Sequence, residues 1–97
     1  MIDGPVVVLR GESFVVPPLQ LRDLRKYMPQ IEAMAKLKMS ETLDLLRDVI
    51  YAALKQNYPD LTPERLDELL DAKNMNDTLT KVLDASGLVV KKTLGEA

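Results

Sequence analysis

The pair Pro17-Pro18 marks the point at which the pattern of apolar residues changes from that of strands to that of helices. Before this pair, residues 5–16 hold two β-branched runs separated by a polar stretch with Gly11, which is typical of a short hairpin. We expect Val6 to Arg10 to pair with Ser13 to Val16. Proline has no N–H for a strand ladder, so the second strand should end here. A lone hairpin is marginal in water, so it must lie on another element or pair with one.

After the proline pair, apolar residues recur with a period near 3.6, which predicts helices. Pro29 should open a second helical piece, and Ser40 should cap the next helix. Thr62-Pro63 is typical of an N-cap followed by proline at the first helical position, and Asn74 or Asn76 should cap the last helix. The predicted fold is mainly α, a small helical domain of four to five helices with a short N-terminal β-hairpin, in a single domain over 1–97. Its expected elements are the hairpin at about 5–16, helices at about 20–28, 29–38, 41–57, 63–72 and 76–86, a closing Schellman motif at Ser86-Gly87-Leu88, and a flexible tail at 90–97.

The helix predicted over 41–57 is apolar around more of its circumference than an ordinary surface helix. Leu45, Val49 and Ala52 widen a face that other apolar residues already form. Either this helix is central in the fold, or one of its sides meets a second subunit or a client. The two alternatives differ in what Val49→Glu should do: it would unfold a central helix but only abolish association at an interface.

The composition removes most catalytic chemistry. The chain has no Cys and no His, which excludes thiolate and imidazole catalysis, disulfides and ordinary zinc sites. Asp67, Glu68 and Asp71 lie within about one helical turn, but opposite the leucines of the same helix, so a solvated face is favoured over a cation site. We expect no enzyme activity and no cofactor.

The charge balance bears on partners. Thirteen Lys and Arg against 15 Asp and Glu give a net charge of -2, the wrong sign for binding nucleic acid through counterion release. Arg22, Arg25 and Lys26 form a basic cluster, for which a solvated face is favoured over a contact with an acidic protein. No signal sequence and no run of about 20 apolar residues is visible, so we expect no membrane partner.

Two further features admit either a core or an interface. Four of the five methionines lie beside apolar faces; core filling is favoured, and an adaptable surface for helical clients is the alternative. The apolar residues of the hairpin are most simply core, although an open strand edge could accept another chain. The candidate partner or oligomer interface therefore comprises Val6, Val8, Phe14, Met28, Met34, Leu45, Val49 and Ala52.

Three segments carry a resemblance to a known family. They read Val-Val-Leu-Arg-Gly-Glu-Ser-Phe-Val-Val-Pro-Pro-Leu, then Leu-Arg-Asp-Leu-Arg-Lys-Tyr-Met-Pro, then Val-Ile-Tyr-Ala-Ala-Leu-Lys-Gln-Asn-Tyr-Pro-Asp-Leu-Thr. Over about residues 6–88 the chain resembles the tail assembly chaperones of long-tailed bacteriophages or prophages. The resemblance implies a non-enzymatic, mostly helical homo-oligomer that coats the tape measure protein, helps to recruit tail tube protein in the host bacterial cytoplasm, and is absent from the mature virion.

Two rival functions stay open. One is another phage morphogenesis part, such as a structural connector, which would remain in purified particles. The other is a small helical adaptor or regulator, for which salt-sensitive DNA binding would be the sign.

Overall fold

The computed structural model describes residues 1–88, and the tail predicted over 90–97 lies outside them. Its described part has four α-helices and one N-terminal hairpin, which confirms the predicted fold class. In chain order the elements are β1 (Val6–Leu9), β2 (Glu12–Val15), α1 (Leu21–Glu32), a short 3-10 helix (Met34–Lys36), α2 (Met39–Leu54), α3 (Pro63–Leu69) and α4 (Ala72–Ala85).

The hairpin closes through the two-residue turn Arg10-Gly11, in which φ is 51° and then 86°. Two positive φ angles in such a loop define a type I′ turn, whose twist matches that of the flanking strands. Glycine adopts this conformation without the steric penalty that a Cβ brings. The turn fixes an antiparallel register in which Leu9 lies opposite Glu12.

This register decides which side chains of β1 face the core. Val7 lies opposite Phe14, and both are buried together with Leu9. Val6 and Val8 point the other way and are 52% and 60% exposed. The favoured interpretation of Val6 and Val8 as core is therefore wrong, because a shift of one residue exchanges the two faces of a strand.

Helix α1 runs through Pro29 instead of ending before it. Pro29 has no N–H for the carbonyl of Arg25, but both residues are exposed, so water can hydrate that carbonyl. Beyond the proline, the N–H of Ala33 donates to the carbonyl of Pro29 at 3.1 Å. The prediction of a break at residue 28 and a second helix over 29–38 is therefore wrong. Between α1 and α2 the chain forms only the short 3-10 helix.

Helix α2 begins at Met39 because Lys38, not Ser40, is its N-cap. The backbone N–H of Lys38 donates to Oε1 of Glu41 at 2.9 Å, so the acid of the first turn satisfies a donor at the helix start. The helix packs against α1, α3 and α4. This confirms the alternative in which it is central in the fold.

Helix α3 begins as predicted. Oγ1 of Thr62 accepts a hydrogen bond from the N–H of Arg65 at 3.0 Å, and Pro63 occupies the first turn. The helix ends at Leu69, and only Leu70 and Asp71 separate it from α4.

Helix α4 begins at Ala72 rather than at about residue 76, because Asp71 is its N-cap. Oδ1 of Asp71 accepts from the N–H groups of Lys73 and Asn74 at 2.9 and 2.8 Å. In turn, Oδ1 of Asn74 accepts a hydrogen bond from the N–H of Asp71 at 2.8 Å, so the two residues form a capping box. The expected caps at Asn74 and Asn76 are therefore wrong.

The end of α4 is the predicted Schellman motif. The N–H of Leu88 donates to the carbonyl of Leu83 at 2.8 Å, and the N–H of Gly87 donates to that of Asp84 at 3.0 Å. Gly87 has the positive φ, 82°, that this motif requires at its left-handed position.

One core joins the hairpin to the helices. The inner face of the hairpin covers it on one side, and α2 crosses its centre with α3 and α4 alongside. Its fully buried larger apolar members are Val7, Leu9, Val16, Val49, Ile50, Leu54, Leu66, Leu69 and Val82.

Candidate functional site

The structure divides the eight predicted interface residues between core and surface. Leu45, Val49 and Ala52 of α2 are buried within the single chain, and Val49 has no exposed surface. The expectation that they form a client or oligomer surface is therefore corrected: they face the hairpin and the other helices, not solvent.

The remaining five predicted residues do not form one surface either. Phe14 is buried, and its ring meets that of Tyr58 edge-on with 5.1 Å between centroids. Met28 and Met34 are half-buried, and Met34 packs against the core. Only Val6 and Val8, on the outer face of the hairpin, are exposed.

A different apolar surface lies where α2 meets the turn between α3 and α4. A groove of roughly 270 Å³ opens there, and its apolar lining comes from α2, α4 and the connection between α3 and α4. Leu43, from the first half of α2, is 46% exposed, and Met39, one turn earlier on the same helix, is 73% exposed. We call this surface the α2–α4 groove; its lining residues are Leu43, Asp44, Arg47, Asp67, Leu70, Asp71, Ala72 and Met75.

One arginine of the groove lining links α2 to α3. Nη1 of Arg47, on α2, donates to both carboxylate oxygens of Asp67, on α3, at 2.8 Å. Its Nε donates to Oδ1 of Asp48 at 2.9 Å. The hydrogen bond that Arg47 donates to Asp48, together with the charges of the Asp67 and Asp48 carboxylates, raises the pKa of the Arg47 guanidinium above its usual value. Arg47 is therefore already engaged by acids of its own chain.

The other end of the groove carries Asp71, the N-cap of α4. Hydrogen bonds from the backbone N–H groups of Asn74 and Lys73 lower the pKa of Asp71 below its usual value. The guanidinium of Arg10, whose Nη2 lies 3.3 Å from Oδ2 of Asp71, lowers this pKa further. The charged carboxylate of Asp71 therefore stabilises the start of α4. Asp44 completes the rim, and among the described residues it forms no ion pair. The lining holds three carboxylates and one guanidinium, and Arg10 pairs with Asp71 from outside it, so the rim keeps a small net negative charge.

A second hollow lies elsewhere on the described surface. It is larger, roughly 460 Å³, and is lined in part by Tyr51 and Gln56, but both donate to backbone carbonyls of the fold, those of Leu61 and Pro18. Within residues 1–88, no three His, Cys, Asp or Glu side chains are grouped so that they could hold a metal ion. Over the same residues, no helix combines the length and the apolar character that crossing a bilayer requires.

The three acids of the predicted cluster, Asp67, Glu68 and Asp71, each bind a different partner. Asp67 binds Arg47, Glu68 accepts from Arg65 at 3.2 Å, and Asp71 caps α4.

The sequence did not reveal the groove because its lining comes from α2, α3, α4 and the connection between the last two. The local signal was the spacing of Met39 and Leu43, two apolar residues four positions apart on α2, and the structure leaves both exposed. No protein-family model, no curated protein and no solved structure matches the chain.

Proposed function

We propose that this protein is a non-enzymatic assembly chaperone that covers the apolar stripe of a client helix with its α2–α4 groove. The resemblance to phage tail assembly chaperones makes the tape measure protein the proposed client and tail tube protein the component recruited to it. Its proposed place of action is the host bacterial cytoplasm, and the mature virion should lack it.

The groove carries this proposal. Exposed apolar side chains are common singly, but the exposed Leu43 and the half-buried Met75 line the same concave surface, together with the buried Leu70 from the connection between α3 and α4. Methionine fills irregular space well because its side chain is unbranched and flexible. Such a surface suits the side chains of an amphipathic helix, whose anchors repeat every three to four residues.

The rim determines which helices would bind best. Asp44, Asp67 and Asp71 line the groove. Arg47 is bound to Asp67 and Asp48, and Arg10 pairs with Asp71, so Asp44 is the acid of the lining that has no ion pair among the described residues. A client helix with lysine or arginine beside its apolar stripe would therefore meet complementary charge. An acidic helix would meet repulsion.

A peptide assay tests the groove. The probe is a fluorescent helical peptide with leucines at every third to fourth position and lysines on both flanks; the matched control replaces the lysines with glutamates. We expect the lysine peptide to bind at least tenfold more tightly in fluorescence anisotropy, with the difference shrinking as salt screens the rim.

Two variants locate the binding site. Leu43→Lys places a cation in the groove and should weaken binding of the lysine peptide at least tenfold. Leu21→Lys changes an equally apolar side chain, 62% exposed, on α1 outside the groove and should leave binding unchanged. If Leu43→Lys binds as the wild type does, or if neither peptide binds, the groove is not a helix-binding site.

The client itself is tested through the native gene and particle. We expect a very long open reading frame downstream that encodes a helical protein. A run of adenines in the codons for Lys91-Lys92 would permit the translational frameshift that such chaperones often use. Binding of that downstream product and absence from purified particles are the expected results. Retention in the particle would favour the structural connector instead.

A further inference from the structure

The hairpin has one closed edge and one open edge. Along β2, the N–H of Val15 donates to the hydroxyl of Tyr58 at 2.8 Å, and Nδ2 of Asn57 donates to the carbonyl of Val15 at 3.3 Å. The loop after α2 therefore occupies this edge. In the described part of the chain, no comparable bond reaches the outer edge of β1.

The register shows which groups that outer edge presents. In an antiparallel pair, alternate residues direct their N–H and C=O groups to the partner strand and away from it. The two-residue turn makes Leu9–Glu12 the first hydrogen-bonded pair, and the bond from the N–H of Val16 to the carbonyl of Pro5, 2.8 Å long, keeps the same phase at the other end. Val6 and Val8 therefore direct their backbone groups outward.

The side chains at this edge are apolar as well. Val6 and Val8 are 52% and 60% exposed, and Val15 lies opposite Val6 on the same face. Natural edge strands are usually protected by charges or by proline within the strand. The four residues of β1 contain neither.

We infer that β1 pairs with β1 of a second copy of this chain, antiparallel and about a two-fold axis at Val7, to form a four-stranded sheet. In this register each Val6 lies opposite the other copy's Val8. Both residues point their backbone groups across the junction, so two such pairs supply four hydrogen bonds. The same register places the four exposed valine side chains in mutual contact on one face.

The strand ends select this register from its neighbours. Moving the axis to Val8 would place Val6 opposite Arg10, which belongs to the turn and has a positive φ. Moving it to Val6 would place Val8 opposite Gly4, beyond Pro5, outside the strand. Either shift leaves only one hydrogen-bonded pair of strand residues, at the axis itself. The axis at Val7 has two such pairs and therefore the most hydrogen bonds.

The test is the oligomeric state in solution, measured by sedimentation velocity over a range of concentrations. The wild type should be a dimer. Val8→Lys should weaken dimerisation at least tenfold because the two-fold axis places the change at both pairs, while its melting temperature at a monomeric concentration stays near that of the wild type. Ser13→Lys changes the residue opposite Val8 on β2, away from the junction, and should remain dimeric.

A second variant tests the backbone bonds. Val8→Pro removes an N–H that points outward, so the hairpin ladder keeps its bonds while each pair across the junction loses one. It should also weaken the dimer. A monomeric wild type, or dimers of Val8→Lys and Val8→Pro as tight as the wild type, would overturn the inference.

A truncation after Leu88 tests the other occupant of the edge, the chain's own segment 89–97. The dimer should persist without that segment. If only the truncated chain dimerises, the segment covers the edge in the full chain and the inference is overturned. None of these outcomes depends on the groove, so the dimer and the proposed function succeed or fail separately.

Discussion

Val49→Glu and Leu43→Glu should have opposite consequences although the two positions lie on the same helix. Val49 has no exposed surface in the centre of the core, whereas Leu43 is 46% exposed at the groove. The substitution at Val49 removes apolar burial worth about 1.5 to 3 kcal/mol. It also leaves a buried carboxylate without a partner, which costs roughly 3 to 5 kcal/mol.

The sum, about 5 to 8 kcal/mol, is comparable with the total stability of about 5 to 15 kcal/mol expected of a domain of this kind. Val49→Glu should therefore be largely unfolded at neutral pH. Leu43→Glu should lower the free energy of unfolding by only about 1 to 1.5 kcal/mol, because Leu43 is already 46% exposed and loses only about half of the apolar burial of a core side chain.

Far-UV circular dichroism with urea titration checks both variants, and Val49→Ala separates the two contributions. Losing two methyl groups alone costs about 1.6 kcal/mol before any cavity term, so that variant should stay folded with a lower urea midpoint. If Val49→Glu keeps its helix content and the wild-type midpoint, Val49 is not core, and the burial argument for α2 is refuted.

Three further changes test local features of the fold. Thr62→Ala should lower the free energy of unfolding by about 1 kcal/mol in urea titration because α3 loses its N-cap, whereas Thr62→Ser should keep most of it. The pKa of Asp71 is lowered in the folded state, so its contribution to stability is complete above the ordinary aspartate pKa and is lost as pH falls through the folded pKa. In Asp71→Asn, the urea midpoint should therefore fall less between about pH 6 and pH 2 than in the wild type. Arg10→Asn should raise the urea midpoint, because the left-handed conformation costs a residue such as arginine about 1 to 2 kcal/mol and asparagine adopts it more readily. The exposed ion pair with Asp71 that is lost is worth only about 0 to 1 kcal/mol. An unchanged or lower midpoint would contradict this.

The features that sequence predicted correctly are those fixed by neighbouring residues. Thr62-Pro63 contains both the cap and the first helical residue, so the start of α3 needs no information from elsewhere. Ser86-Gly87-Leu88 likewise contains the left-handed position of its Schellman motif.

The errors arise where several local solutions compete. Ser40 is an acceptable N-cap by type, but the start at Lys38 lets Glu41 bind a backbone N–H, and α2 gains two residues. Pro29 is a helix breaker by type, but its effect falls on an exposed carbonyl that water can satisfy. Neither outcome follows from the residue type alone.

The candidate site was harder to predict than the fold because a wide apolar arc does not say what covers it. Leu45, Val49 and Ala52 were candidates for an interface, and the hairpin and helices of the same chain cover them. The groove instead forms where Leu43 meets residues 24 or more positions later in the chain, a juxtaposition that no local period encodes.

The two proposals together imply a particular spacing of binding sites. Asp71, on the groove rim, is paired with Arg10 in the hairpin turn, so each groove lies near a turn. Antiparallel β1 strands place their turns at opposite ends of the joint sheet. Arg10 is three residues from the axis at Val7, so about 20 Å separates the two turns at the strand rise of about 3.4 Å per residue.

A client helix rises about 1.5 Å per residue, so roughly 14 residues cover that distance. A helix with two lysine-flanked apolar stripes at this spacing or longer can bind both grooves of one dimer, and its affinity should exceed that of a single stripe by a factor set by effective concentration. Val8→Lys should then weaken binding of the two-stripe peptide but not of the one-stripe peptide. Equal loss for both peptides would mean that the substitution disturbs the groove itself, and no loss for either would mean that the grooves act singly.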